Sequence, residues 1–394
     1  MRIAILTNAF PPDGRGGAER IAWLQAEGLA SRGHEVRVWA PTDRQSPTTH
    51  NLQSTTCTIE VTRFRSSFHR LESMNVLSRL FFHLCADLLP RMNVVKEILD
   101  WKPDAIISHN LTGCGIGTPQ RIKKRGNIPW IHILHDVQLT DPSGQILASD
   151  AVKPYARAWR AFWSFWRRRY FFGVPDVLAS PTRWLLAWHE NYGFKGKKNV
   201  ILPNPVEIED AEDHLCAKPA TILYAGRLSR DKGFHHFLDA IQYLDEELVS
   251  GIVIIGRGPL ADVIKDVRDE RVEYCGWRKP EDVRTAIRNA GLLVAPSLIL
   301  ENQQTVILEA MAEGTPVIAT DVGGTRETLE GTGCPVISPA SNVPVEIANA
   351  VRRLIDDQES CRRISIAMRE RAGRHESEHY IDALEKGIIQ LISV

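Results

Sequence analysis

Short apolar runs alternate with amphipathic stretches along the whole chain, and the period switches between two and about 3.6 residues as it does so. The apolar runs fall at residues 2–7, 35–40, 104–109, 130–134, 176–179 and 199–202 in the first half. In the second half they fall at 221–225, 251–255, 271–275, 291–295 and 316–320. Strands separated by helical patterns in this way predict parallel sheets built from βαβ units. The first helix is expected to stop at Arg32-Gly33, where the glycine suits a left-handed cap. A turn- and acid-rich stretch at 203–219 divides the two runs. The pattern therefore predicts an α/β chain of two doubly wound domains, 1–203 and 204–376, followed by a helical segment at 377–394. In such sheets ligands sit beyond the carboxyl ends of the strands.

Length and composition fit this division. A chain of 394 residues exceeds what one core usually supports. Lys plus Arg and Asp plus Glu both total 48, so the net charge is zero. Binding to nucleic acid through phosphate contacts normally needs a basic excess, which argues against that class of partner. Any anion must instead be met by a few local cations. The seven cysteines are scattered, odd in number and never form a C-x-x-C pair, which suits free thiols in a reducing cytoplasm rather than a disulfide framework or a zinc site. The apolar run before Asn8 is too short for a signal peptide, and no stretch approaches the roughly 20 residues that span a bilayer.

Two loops carry the candidate chemistry. Gly226-Arg227-Leu228-Ser229-Arg230-Asp231-Lys232-Gly233 follows the strand at 221–225 and leads into a helix. Arginine offers a two-pronged donor to phosphate oxygens and lysine a point charge, and a helix start adds N–H groups; a solvated basic loop is the plainer alternative. After the strand at 291–295 come Pro296-Ser297, then Glu301 and, eight positions on, Glu309. Glu309 falls within a helix beginning near Thr305, and Glu301 in the loop before it. Two carboxylates so placed suit vicinal hydroxyls of a sugar or ribose, with the helix start between them facing phosphates.

With these motifs in order, the chain resembles the retaining glycosyltransferases of the GT-B fold, specifically the large family 4, along nearly its whole length. The residues that carry the resemblance are Glu301 and Glu309, Arg227 and Lys232, and Gly16-Gly17-Ala18-Glu19-Arg20. His135-Asp136, Pro203-Asn204, Gly256-x-Gly258-Pro259 and Asp321-Val322-Gly323-Gly324 support it. The resemblance implies two Rossmann-like domains facing a central cleft, with the C-terminal helix returning to the first. It implies that Arg227 and Lys232 neutralise a donor diphosphate, that Glu309 holds ribose hydroxyls and that Glu301 holds the donor sugar. Gly16 and Gly17 would bring backbone close to the donor phosphate and acceptor, and His135 would touch the transferred sugar. Donor contact is also implied at Gly256, and at Thr305 and Val306 where the helix starts. The family usually has glycines where this chain has Asn302 and Gln304, so the identity of the sugar does not carry over.

The expected reaction moves a sugar from a nucleoside-diphosphate sugar, UDP- or GDP-linked, to the hydroxyl of a sugar, lipid-linked or other acceptor. Polysaccharide, glycolipid or glycoconjugate synthesis is the expected setting. No cofactor and no metal are expected: His132 and His135, three apart on a strand, point to opposite faces and cannot share an ion. Two other functions fit the same motifs, a silent sugar-nucleotide-binding subunit and another GT-B enzyme such as an epimerase or phosphorylase. Gly256-Arg257-Gly258-Pro259-Leu260-Ala261 also fits a dinucleotide fingerprint, but it follows the second strand of its domain rather than the first.

One segment stands apart. Residues 155–172 read YARAWRAFWSFWRRRYFF. On a helix, Trp159, Phe162, Trp163, Trp166 and Tyr170 share one face, with Arg157, Arg160, Arg167 and Arg168 largely opposite. Either the aromatic stripe packs on the sheet, or the helix meets the inner face of a membrane as a peripheral contact. The stretch 63–91, with Phe64, Phe68, Phe81 and Phe82, is a candidate extension of such a surface.

Overall fold

The computed structural model describes residues 1–12, 16–42, 48–54, 57–68, 71, 74–83, 87–209 and 220–393. It divides into two compact units, one of residues 1–145, 152–204 and 377–394, the other of 146–151 and 205–376.

The first unit holds β1 (Arg2–Leu6), β2 (Glu35–Thr42), β3 (Thr48–Gln53), β4 (Thr58–Arg65), β5 (Ala105–Ser108), β6 (Trp130–Ile133), β7 (Val177–Ser180) and β8 (Lys198–Ile201). They form one sheet in the order β3-β4-β2-β1-β5-β6-β7-β8, parallel except for β3 against β4. β1, β5, β6 and β7 are almost wholly buried, as strands covered by helices on both faces must be. Ile3, Ile5, Val38 and Ile107 form the core beneath the helix Gly17–Ser31. The C-terminal helix Ser377–Ile392 adds Leu384 and Ile388 to that core. It is tied there by Gln25 to the Tyr380 hydroxyl at 2.5 Å, and by Arg32 and His34 to Glu385 at 2.8 and 2.7 Å.

Two strands of this unit escape the periodicity reading. β3, TTHNLQ, alternates half-buried and exposed positions at the sheet edge with little apolar content. β4 overlaps the stretch expected at the surface, yet Arg63 and Phe64 are buried, and Arg63 donates to the carbonyls of Phe10 and Pro11 at 2.7 Å each. Of that stretch's aromatics, Phe82 is also buried and Phe81 exposed.

The second unit holds β9 (Ala220–Ala225), β10 (Val249–Ile255), β11 (Val272–Gly276), β12 (Leu292–Ala295), β13 (Val317–Thr320) and the two-residue β14 (Val336–Ile337). Its sheet runs β11-β10-β9-β12-β13-β14, all parallel. Leu223, Ile254, Leu293 and Met311 anchor its core. Strand order reverses at β9, with β10 on one side and β12 on the other, so the loops after β9 and β12 flank the switch point where ligands bind in open α/β sheets. In the first unit the reversal falls at β1, between β2 and β5.

Among the described residues, no helix is long and apolar enough to cross a membrane. Cys57, Cys114, Cys275 and Cys334 are free. Cys361 is disulfide-bonded, contrary to the expectation that every cysteine is a free thiol. Spacing along the chain does not report which cysteines approach in space. Cys85 and Cys216 lie outside the described residues.

Candidate functional site

At the switch point of the second unit, the two loops singled out by sequence close on one another. Lys232 Nζ ion-pairs with Glu301 Oε1, and Ser297 Oγ donates to the same oxygen at 2.8 Å. Lys232 is 29% exposed and Glu301 13%, a half-buried pair. Leu298 N donates to the Asp231 carbonyl at 2.9 Å, which stitches the loop after β12 to the loop after β9. Arg227 pairs with Asp231 inside its own loop. The Tyr224 hydroxyl, at the end of β9, donates to the Arg227 carbonyl at 2.9 Å. Burial, then the charges of Asp231 and Glu301, push its phenol above the ordinary range, with Arg227 opposing. Both acids and Arg227 thus act on one phenol.

Backbone shape fixes these contacts. Gly233 sits at φ +68°, and a Cβ there would lie 1.7 Å from the Pro296 carbonyl oxygen. Gly323, at φ +61°, would put a Cβ 1.9 Å from the Glu301 carbonyl oxygen, which also accepts from Gly324 N at 2.7 Å. Only residues without a side chain let these backbones meet. Gly256 likewise lies against the Gly226 carbonyl, so the loop after β10 braces the cationic one.

The helix Thr305–Glu313 begins just beyond Glu301. Its cap residue, Gln304, makes no side-chain cap, and its first turn carries no acid. Thr305 and Val306 are half-exposed there, and Glu309, also half-exposed, lies on the second turn. Its N–H groups therefore present the positive end of the helix beside Glu301. Structure thus unites Lys232, Glu301 and Ser297 by contact, and it places Arg227 on the Lys232 loop and Gly256 on a loop bonded to that one. Thr305, Val306 and Glu309 share an element next to them.

In the first unit, Gly16 caps the helix Gly17–Ser31 with extended backbone (φ −100°, ψ 173°), beyond β1 at that unit's switch point. His135 follows β6, and its Nε2 lies 2.8 Å from Nδ1 of His109, which follows β5. The rings stack with centroids 5.1 Å apart. Burial holds His135 down to about 4. It holds the fully buried His109 well below the usual imidazole range, with the charges of His135 and His132 adding to that. Between two neutral rings at this distance one donates and the other accepts, so the tautomers of His109 and His135 are coupled. His132 turns elsewhere, to Ser108 Oγ at 2.8 Å, with its ring edge-on to Phe172. Next to His135, burial raises Asp136 to about 6, against hydrogen bonds from Gln138 N and Asn110 Nδ2 at 2.7 and 2.9 Å.

His109, Ser297 and Asp231 were not assigned roles from sequence. His109 carries the same signal as His135, a histidine at a strand's carboxyl end, but its partner stands 26 residues away in sequence.

The buried histidines make acid stability predictable. His109, His132, His135 and His189 have folded values below the ordinary 6.5. Their contribution is therefore full above pH 6.5 and is lost as pH falls towards 4, because the unfolded chain takes up protons the fold refuses. Asp136, raised rather than lowered, opposes this on acidification. The melting temperature should fall from pH 7 to pH 4.5 in a thermal scan; a flat or rising profile would show that these rings are not held neutral.

A family model described as Glycosyltransferase Family 4 matches residues 15–210, and one described as Glycosyl transferases group 1 matches 219–357. An uncharacterised glycosyltransferase of Methanocaldococcus jannaschii is 24% identical over 373 residues, covering 91% of this chain and 90% of that protein. Sucrose-phosphate synthase of Thermosynechococcus elongatus superposes with a TM-score of 0.71 at 18% identity, over 100% of this chain and 99% of its own. HepE of Anabaena, solved in complex with UDP-glucose, superposes at 0.67 with 16% identity over 99% and 100%. With both halves matched, and with two parallel α/β units as its fold, the chain belongs to the GT-B glycosyltransferases.

Proposed function

We propose that this glycosyltransferase takes its sugar from a nucleoside-diphosphate donor and passes it to an acceptor hydroxyl with retention of anomeric configuration. The setting is the synthesis of a polysaccharide, glycolipid or other glycoconjugate. The observation that carries the reading is the Glu301 carboxylate held by both Lys232 and Ser297 at the switch point of the second unit.

Each of these cations pairs with a carboxylate, Arg227 with Asp231 and Lys232 with Glu301. A diphosphate exchanges those partners. Its oxygens take Arg227 and Lys232, which releases the Glu301 carboxylate to accept hydrogen bonds from hydroxyls of the donor sugar. Gly256 lets the neighbouring backbone approach the diphosphate. Thr305 and Val306 add N–H groups at the helix start, and Glu309 accepts from the ribose. His135 contacts the transferred sugar, while Gly16 and Gly17 bring backbone to the donor phosphate and acceptor.

The barrier is departure of the diphosphate as positive charge builds on the anomeric carbon. Cations already in place stabilise the leaving charge without reorganising. A leaving phosphate oxygen on the same face takes the acceptor's proton as the new glycosidic bond forms, which retains configuration. Proton NMR of the product checks this: an α-linked donor should give an α-linked product, and a β product would refute retention.

Arg227 and Lys232 fill the charge-neutralising role that Mg²⁺ plays in other nucleotide enzymes. Turnover should therefore survive millimolar EDTA with less than about a twofold change, since removing a catalytic metal would cost far more. Abolition by EDTA and recovery with Mg²⁺ would overturn this part of the proposal.

The broadest test screens UDP-, GDP- and ADP-sugars for nucleotide release with and without acceptors. Release that depends on acceptor supports transfer. A free epimerised sugar without acceptor, or donor binding with no turnover across acceptors, would replace it. In the cell we place the enzyme in the cytoplasm at the inner face of a membrane, and the surface that bears on this lies at residues 155–172.

A further inference from the structure

The helix Pro154–Trp166, continued by a wider turn at Arg167–Phe172, is oriented the reverse of what its composition leads one to expect in water. Arg160 and Arg167 point inward, 3% and 0% exposed. Arg160 lies over the Trp188 ring at 5.6 Å and donates to the Tyr192 hydroxyl. Arg167 donates to the carbonyls of Gln138 and Leu139 at 2.7 and 3.1 Å and lies over Trp163. Flat guanidinium groups stack on aromatic rings, which lets two charges occupy the inner face. Of the expected aromatic stripe, only Trp163 is buried.

The rest faces out. Trp159 is 53% exposed, Phe162 55%, Trp166 41% and Tyr170 54%, with Tyr155 and Phe165 beside them. These rings brace one another: Trp159 stacks on Phe162 at 6.2 Å and Trp166 on Tyr170 at 4.8 Å. Burying arginine while exposing tryptophan is unfavourable for a surface that meets only water.

We infer that this face binds the surface of an anionic lipid bilayer. Charge identifies the occupant. No acidic residue occurs from 154 to 175, while Arg169 is exposed among these rings and Arg157 is exposed elsewhere on the same helix. The adjoining helix Thr118–Gly126, which packs on the 167–172 turn, adds exposed Lys124 and Arg125. Tryptophan and tyrosine side chains match the boundary between headgroups and acyl chains, and the cations match anionic headgroups. A second copy of the chain is a poorer occupant, since a two-fold contact would join two patches that carry arginines and, from 154 to 175, no carboxylate to pair with them. This inference rests on the surface alone and stands or falls separately from the proposed chemistry.

Co-sedimentation of the full chain with phosphatidylglycerol–phosphatidylcholine vesicles tests it, with pure phosphatidylcholine as the control. The wild type should bind the anionic vesicles and lose binding as salt rises. The triple variant Trp159→Ser, Phe162→Ser, Trp166→Ser should bind at least about tenfold more weakly at low salt, and Arg157→Glu with Arg169→Glu likewise. These side chains are largely outside the core, so melting temperatures should hold. In unaltered protein, lipids brominated near the headgroup should quench tryptophan fluorescence, a readout that needs no variant. Absence of wild-type binding, equal binding by the triple variant, lack of quenching, or a dimer that the triple variant dissolves would each overturn the inference.

Discussion

Lys232→Ala is expected to lower kcat/KM by an amount equivalent to about 2–5 kcal/mol of transition-state stabilisation. The size follows from position. Lys232 is one of two cations placed for the departing diphosphate, and it is only partly open to water, so its charge is weakly screened. The free protein should remain folded. Glu301, 13% exposed, loses its cation but keeps its hydrogen bond from Ser297, so stability should fall by about 1–3 kcal/mol. Loss of activity without loss of fold is the expected signature. Steady-state kinetics beside a denaturation curve would show it, and kcat should fall more than KM rises if the charge acts mainly on the leaving group. Glu301→Gln supplies the second corner of a double-mutant cycle, and non-additivity with Lys232→Ala would report their coupling.

Gly323→Ala should be costly for a different reason. At φ +61° an alanine is strained, and its Cβ would overlap the Glu301 carbonyl oxygen, which Gly324 N holds by a hydrogen bond. Neither backbone gives way cheaply, so a loss of about 3 kcal/mol in unfolding free energy is expected, with the 301 loop displaced. Urea denaturation measures the first effect. The second should appear as a raised KM for donor, because Glu301 and the start of the helix Thr305–Glu313 move together. An unchanged midpoint and unchanged KM would mean that the close approach at Gly323 does not constrain the loop.

Much of this was legible in the sequence because it is local. Strands β9, β10, β12 and β13 announce themselves as buried apolar runs, and the cationic loop follows the first of them directly. The partners escaped. That Lys232 would meet Glu301, 69 residues on, depends on β12 lying beside β9, a fact of sheet order rather than pattern. His109 was passed over for the same reason: β5 and β6 are neighbours only in space. The end of β4 overlaps a stretch whose aromatics made it a candidate surface, although Arg63 there is buried on two carbonyls. At 155–172 the period gives the shared face but leaves its direction open between the sheet and a membrane. Helical spacing says which side chains share a face; it cannot say that Trp188 and the carbonyls of Gln138 and Leu139 would draw the arginines inward.

The most direct measurement is a crystal structure with whichever nucleoside-diphosphate sugar the release screen selects. Diphosphate oxygens should lie within hydrogen-bond reach of Arg227 and Lys232, with the Lys232–Glu301 pair opened and the Glu301 carboxylate on a sugar hydroxyl. A donor bound elsewhere, or one bound while Lys232 still holds Glu301 and Arg227 still holds Asp231, would contradict the partner exchange on which the proposed catalysis depends.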